Sequence, residues 1–302
     1  MANYDVIIIG GGPAGYTAGL YCARASLQTL VIEQGVSGGQ MANTYAIDNY
    51  PGAAIGIDGF TLGQNMKSQA EHFGAESRTA TVTAVQLAGE TKQIELESGE
   101  TLSAKAVILA MGASPRLLGI PGEERLRGKG VSYCATCDGM FFRKKTVVVV
   151  GGGNTAVEDA LLLAKTCEKV YLVHRRDTFR ASAVYVEHLR NTDNIEPVLE
   201  ETVAEILGEQ KVAGVKLASG RQLDCDGVFI AVGNQPNTAL VKDQIKLDAG
   251  GYVAADEDTA TNIPGVYAAG DLRRKPLRQI VTAVADGAVA AVMAEKYILQ
   301  NK

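Results

Sequence analysis

Tyr4-Asp5-Val6-Ile7-Ile8-Ile9-Gly10-Gly11-Gly12-Pro13-Ala14-Gly15 reads as a buried parallel strand running into a glycine turn and then an Ala-rich helix that reaches about Arg24. The same unit recurs at Thr146-Val147-Val148-Val149-Val150-Gly151-Gly152-Gly153-Asn154-Thr155-Ala156, with a helix to about Lys165. Each copy is followed by a further apolar strand, Thr29 to Ile32 in one and Val170 to Val173 in the other. A single GxGxxG is weak evidence. Two of them, each set between strand and helix inside a βαβ of about thirty residues, indicate two dinucleotide-binding units. The expected fold class is α/β with two Rossmann-like domains.

The glycines serve backbone access. The turn must be tight, and a pyrophosphate must approach the unpaired N–H groups and positive dipole end of the helix. Side chains at Gly10, Gly12, Gly151 or Gly153 would obstruct it. Eighteen positions separate Gly15 from Glu33, and eighteen separate Ala156 from His174, so different residues arrive at the two riboses. Glu33 can accept hydrogen bonds from a bare 2′-OH. His174-Arg175-Arg176, with Arg180 four residues beyond, would attract a 2′-phosphate; a solvated basic turn is the plainer alternative.

Further strand ends lie at Ala231-Val232-Gly233-Asn234-Gln235-Pro236-Asn237 and at Val266-Tyr267-Ala268-Ala269-Gly270-Asp271. The second precedes Arg278-Gln279 and a long Ala-rich helix to about Leu299. Ala283, Gly287 and Ala290 on that helix allow close approach of a ligand or strand, or simply tight packing. The order of elements suggests a first nucleotide domain, residues 1–114 and 242–302, interrupted by a second, residues 115–241. Pro-containing turns flank the inserted unit.

At 302 residues the chain has room for about two domains. With 46% hydrophobic and 21% charged residues and a net charge of −5, it reads as an ordinary globular protein. An anionic chain without clustered Lys, Arg and aromatics argues against a nucleic-acid partner. No apolar stretch approaches the ~18 residues of a membrane span, and the N-terminus lacks an export signal, so a cytoplasmic location and no membrane partner are expected. Cys22, Cys167 and Cys225 sit in apolar surroundings as packed thiols.

Cys134-Ala135-Thr136-Cys137 is different. One CxxC is half a structural zinc site, but the three His at 72, 174 and 188 and the other Cys have no matching spacing, so no metal is expected. The alternative is a redox dithiol that closes reversibly. Asp138, next to it, is a candidate proton donor or acceptor if burial raises its pKa; it could equally be a cap or turn residue.

Together these segments resemble the low-molecular-weight thioredoxin reductases, a family of flavin disulfide reductases. The resemblance runs the whole chain: Gly10 to Gly15, Gly38-Gly39-Gln40, Asn49-Tyr50-Pro51-Gly52, Cys134 to Gly139, Gly151 to Ala156, His174 to Asp177 with Phe179-Arg180-Ala181, and Gly270-Asp271 with Arg278-Gln279. It implies FAD on Gly10, Gly12, Glu33, Gln40, Asn49, Asp271 and Gln279, and NADPH on Gly151, Gly153, Asn154, Thr155, Arg175, Arg176 and Arg180. Pro13, Ala14, Gly15, Gly39, Val82, Gly112, Arg278, Ile280, His174 and Gly233 complete the implied cofactor-binding set. Gln34 to Pro51 contains no Cys and the chain ends at Lys302, unlike the larger glutathione-reductase-like relatives.

The resemblance further implies hydride transfer from NADPH to flavin, reduction of Cys134–Cys137, and reduction of the thioredoxin disulfide. Cys137 would face the flavin, Cys134 would attack the partner, and Asp138 would complete the catalytic set. Only eight residues separate Cys137 from Thr146, so dithiol and NADPH should ride on one domain and flavin on the other; one accessible site on the flavin predicts rotation of the inserted domain, and occupation of opposite flavin faces without motion is the alternative. A homodimer is expected from the family. Rival readings are a same-fold reductase of another dithiol or a peroxiredoxin, a ferredoxin-dependent relative, and a non-catalytic nucleotide sensor or zinc module.

Overall fold

A computed structural model describes residues 3–44 and 46–301. The chain divides into two units, Met1–Ser114 with Gln235–Lys302, and Pro115–Asn234.

In the first unit, strand Tyr4–Ile9 pairs in parallel with Thr29–Glu33 on one side and Thr101–Leu109 on the other. Glu76–Thr79 extends the sheet beyond Thr29–Glu33, and Val266–Ala268 also pairs with Thr101–Leu109. Lys92–Leu96 and Val82–Gln86 continue it as an antiparallel meander, making seven strands. Val6 and Ile8 pack with one apolar cluster, Ile7 and Ile9 with another. That two-sided burial is why the strand reads as an unbroken apolar run rather than an alternating one. The long helix Ile280–Gln300 lies on helix Pro13–Arg24. A Cβ at Gly287 would strike the Ala14 carbonyl oxygen, so Gly287 serves close helix packing, while Ala283 lies against Gly270.

The second unit repeats the scheme. Its parallel sheet runs Ile195–Leu199, Lys169–His174, Thr146–Val150, Gly227–Ile230, Val131–Ser132 in spatial order. Val148 and Val150 enter one core, Val147 and Val149 the other. A three-stranded antiparallel sheet, Val203–Leu207, Gly214–Leu217 and Gln222–Asp224, completes the unit.

The two connections, Ala113–Pro115 and Asn234–Pro236, pair as a two-stranded sheet. The first unit resumes at Gln235, and Val241 is fully buried in its core beside Ile245 and Val253.

Candidate active site

Cys134 and Cys137 are joined as a disulfide, with their Cα atoms 5.3 Å apart. The pair flanks the start of the single helical turn Ala135–Asp138, which Tyr133 and Cys134 separate from strand Val131–Ser132. Cys134 caps this turn, its Sγ accepting the Cys137 N–H at 3.2 Å. Ser132 donates from Oγ to Asp138 Oδ2 at 2.6 Å and accepts the Cys134 N–H at 3.1 Å. Burial pushes the Asp138 carboxyl above the usual carboxylate range, and the Ser132 hydrogen bond offsets part of that rise. A buried carboxyl thus directly follows Cys137 in the chain and shares Ser132 Oγ with the Cys134 N–H. Cys22, Cys167 and Cys225 are buried free thiols, and burial raises all three. Among the described residues no cluster of three His, Cys, Asp or Glu could hold a metal ion.

In the first unit, Gly10 has a φ of +108°, and a Cβ there would enter the Ala110 carbonyl. The Glu33 carboxylate accepts the Gly11 N–H at 2.7 Å and the Gly35 N–H at 3.0 Å, so it is fixed at the turn. The Gly38 N–H donates to the Gly11 carbonyl, and a Cβ on Gly39 would lie 3.3 Å from Gly12 Cα. Pro13 opens the helix, and Ala14 lies against Gly270, next to Asp271. Residues 10–15, 33, 39 and 271 therefore meet in one place. Asn49 Nδ2 donates to Gln279 Oε1 at 3.0 Å immediately before Ile280 begins the long helix. The exposed Gln40 lies on the short turn Gly39–Asn43. Val82 begins an antiparallel strand opposite Leu96, and Gly112 occupies a positive-φ turn after Thr101–Leu109.

These residues fit a flavin nucleotide. Asp271 Oδ1 and Arg278 Nε are buried without a hydrogen-bond partner among the described residues. Burial raises the Asp271 carboxyl, against the opposing charges of Lys275 and Arg278. The Arg278 guanidinium is stacked 3.9 Å from the Tyr252 ring centroid. A buried acceptor, a buried donor and the open space over Gly12 are what a polyhydroxylated diphosphate ligand requires.

In the second unit the Arg180 N–H donates to the Gly152 carbonyl at 2.7 Å, and the Ser182 N–H to Asn154 Oδ1 at 2.9 Å. The basic loop is thereby laced to the glycine turn and the start of helix Asn154–Ala164, which also bears the exposed Thr155. Gly151 faces the Ala231 carbonyl, while a Cβ on Gly153 would meet nothing within 4 Å. Arg175, Arg176 and Arg180 are exposed and form no salt bridge among the described residues. His174 differs from them: it is 5% exposed, stacks on Phe179, and occupies the space beside Gly152 that a side chain would fill. Burial, with the charges of Arg180, Arg176 and Arg175, lowers its pKa and so disfavours a fourth charge beside the trio. Its buried Nε2 has no hydrogen-bond partner among the described residues. Gly233 has a positive φ in the return connection and accepts the Arg116 N–H.

Three features escaped the sequence reading. Ser132 is one. Glu123, 3% exposed, accepts from the Leu118 and Gly119 N–H groups and from the Tyr133 hydroxyl, tying the entering chain to the residue before Cys134. Asp286 binds Arg273 and Lys275 on the helix beneath Asp271. Only a polar residue at an otherwise apolar helical position hinted at the last.

Two glycine turns, one flanked by exposed arginines, and a closed CxxC define a nucleotide-dependent disulfide oxidoreductase. Residues 4–287 match the model of the pyridine nucleotide-disulphide oxidoreductases, and the chain belongs to that family. Within it the chain is similar to thioredoxin reductases. It is 46% identical to the thioredoxin reductase of Mycolicibacterium smegmatis, over 99% of this chain and 97% of that protein. It is also 46% identical to the bifunctional thioredoxin reductase/thioredoxin of Mycobacterium leprae (strain TN), over 99% of this chain and 66% of that protein. The crystal structure of thioredoxin reductase from Streptococcus pyogenes MGAS5005 superposes with a TM-score of 0.92 at 43% identity, covering 99% of each chain.

Proposed function

We propose that the protein uses NADPH to reduce the disulfide of thioredoxin, through FAD and the Cys134–Cys137 pair. The observation that carries this is the closed CxxC, with its buried carboxyl neighbour, in the same unit as the arginine-flanked glycine turn. The unpartnered Asp271 and Arg278 atoms support FAD in the first unit. Arg175, Arg176 and Arg180 support NADPH over NADH in the second, and count against a ferredoxin-fed relative. Bound FAD supplies the two-electron link between the nicotinamide and the disulfide.

The chain's own groups carry the exchange with the partner. Asp138 takes the Cys134 proton, and the thiolate attacks the partner disulfide. A Cys134–partner bond forms, the partner's S–S bond breaks, and the departing sulfur takes the proton from Asp138. Asp138 then takes the Cys137 proton. Cys137 attacks Cys134, restoring the internal disulfide, and the second partner sulfur leaves with that proton. Two electrons and two protons have passed from dithiol to partner. The Cys137 N–H, aimed at Cys134 Sγ, supports Cys134 as the attacking thiolate.

Dithiol and nicotinamide site share one unit, so they take turns at the flavin by rotation of the inserted unit about the paired strands Ala113–Pro115 and Asn234–Pro236. We assign a homodimer, in keeping with the exposed Tyr21, Ile55, Phe60 and Phe73 of the first unit. The three free thiols are in keeping with a cytoplasmic site.

Anaerobic titration of the purified protein tests this. NADPH should bleach a yellow protein, NADH only weakly, and thioredoxin should restore the colour. Replacing Cys134 or Cys137 by Ser should stop disulfide reduction and leave flavin reduction intact. Colourless protein, or undiminished turnover in both variants, rejects the assignment. Recovery with a peroxiredoxin or a small dithiol but not thioredoxin would move the substrate.

A further inference from the structure

We propose that Ser132 is a positioning residue for Asp138, holding its carboxyl beside the sulfur pair in both protonation states through one hydroxyl that changes its acceptor. The role deepens, and rests on, the reading of Asp138 as proton carrier given above.

Ser132 is 5% exposed and lies on the edge strand Val131–Ser132, fixed by parallel pairing to Val228 and Phe229. Its Oγ accepts the Cys134 N–H at 3.1 Å, and has two acceptors in reach for its own proton: Asp138 Oδ2 at 2.6 Å and the Cys134 carbonyl at 3.5 Å. Among the described residues it is the sole hydrogen-bond partner of the Asp138 carboxyl. A serine hydroxyl carries one proton. While Asp138 is ionised, that proton points at Oδ2 and favours the charged form. Once Asp138 has taken a proton from a cysteine, its O–H donates to Ser132 Oγ, and the serine proton turns to the Cys134 carbonyl. The carboxyl keeps the same contact before and after the transfer. No electrons move through Ser132, and its own proton is never given up.

A serine accepting the N–H two residues on also forms a common turn. A turn-forming role alone predicts a loss that does not depend on pH.

Other groups that titrate nearby have to be separated. Helix Asn154–Ala164, packed against the Ala135–Asp138 turn, carries Glu158 and Asp159, the latter pushed up to about 7 by burial and by Glu158. Tyr133, adjoining Ser132, is bonded to Glu123 and lies under Arg127. Asp226 flanks the paired strand Gly227–Ile230, and Gly139–Phe142 contributes no charge. Cys134 and Cys137 titrate once reduced.

The experiment uses the FAD-loaded protein. The carboxyl 13C shift of Asp138, assigned by its absence in Asp138→Asn, is followed against pH in the oxidised state, where neither cysteine titrates. Ser132→Ala should raise the midpoint by about one pH unit or more, the size expected for loss of a hydrogen bond to a charged group. Ser132→Thr, which keeps the hydroxyl, should restore it. In single-turnover reduction of thioredoxin by NADPH-reduced enzyme, the acid limb of the pH profile should move up equally, also in an Asp159→Asn background. An unmoved midpoint, or a lowered plateau with an unmoved limb, overturns the role of Ser132 while the proton-carrier reading stands. A wild-type profile in Asp138→Asn overturns the proton-carrier reading itself. If the Ala variant fails to accumulate with FAD, Ser132→Cys, a weaker donor, should raise the midpoint in the same direction.

Discussion

Asn49 and Gln279, 230 positions apart, are joined by an amide hydrogen bond of 3.0 Å. Gln279 also caps the long helix, its N–H donating to Thr282 Oγ1 at 3.1 Å and its carbonyl accepting the Ala283 N–H at 2.9 Å. The bond therefore pins the loop around Asn49 to the helix start beside Asp271 and Arg278. Asn49→Leu should weaken FAD binding by about tenfold, from the ~1.4 kcal/mol of a lost hydrogen bond and its stranded partner. Gln279→Leu should do likewise, and the double variant should lose less than the two single effects combined. Flavin-release titrations check this, and strict additivity would show that the two amides act independently.

Gly12 and Gly153 separate the needs of folding from those of binding. Each has an extended φ, −82° and −91°, that any residue adopts. The nearest atom to a Cβ on Gly12 is the Gly38 carbonyl oxygen at 4.0 Å, and a Cβ on Gly153 meets nothing within that range. Alanine at a helix N-cap is poorer than glycine, but a less flexible unfolded chain offsets this, so Gly12→Ala and Gly153→Ala should change stability by about 1 kcal/mol or less. FAD affinity in the first and NADPH affinity in the second should nevertheless fall at least about tenfold, since the new methyl stands where the pyrophosphate approaches. By contrast, Gly15→Ala and Gly287→Ala drive a methyl into the Gly10 and Ala14 carbonyls and should cost about 2 kcal/mol or more. Thermal unfolding of the apoprotein and cofactor titration separate the two outcomes.

Arg175 and Arg176 are exposed and unpaired among the described residues, so removing them leaves no buried charge behind. Arg175→Ala with Arg176→Ala should raise the KM for NADPH by about 100-fold or more, two charge-assisted contacts, and leave that for NADH nearly unchanged. The unfolding midpoint should not move. The bleaching rate of the flavin against each nucleotide gives the ratio directly, and an equal loss for both would show that the arginines do not read the 2′-phosphate.

Much of the frame was legible because it depends on local pattern. Val6–Ile9 and Val147–Val150 announce parallel strands buried on both faces, and the glycine turns and Glu33 follow at spacings that the βαβ unit dictates. Side-chain partnerships were not legible. His174 reads as part of a basic run, yet its ring enters the space left by Gly152, a contact set by the depth of the turn and not by charge. Ser132 reaches Asp138 only because the strand ends where it does. Turn residues mark the stretch Asn237 to Val241, but they do not announce that Val241 is buried in the first unit's core.

Asp286 shows how an ionic cluster on an apolar helix bears on stability. It is 6% exposed and accepts from Arg273 Nε and Nη2, from Lys275 Nζ and from the Gly270 N–H. Burial alone would push its carboxyl up, but the hydrogen bonds from Arg273 and Lys275 outweigh it and hold it below the usual carboxylate range. Asp286→Asn leaves two poorly hydrated cations without their hydrogen-bonded counter-charge and should cost about 3–5 kcal/mol at pH 7. The folded value lies below the unfolded one, so the contribution is complete above the ordinary carboxylate value of about 4 and is lost as pH falls through the folded value. In urea unfolding of wild type and variant, the stability gap should be constant from pH 7 to about 5 and narrow below about pH 4. A gap that stayed constant to the acid end would mean that packing, and not the Asp286 charge, holds Arg273 and Lys275 in place.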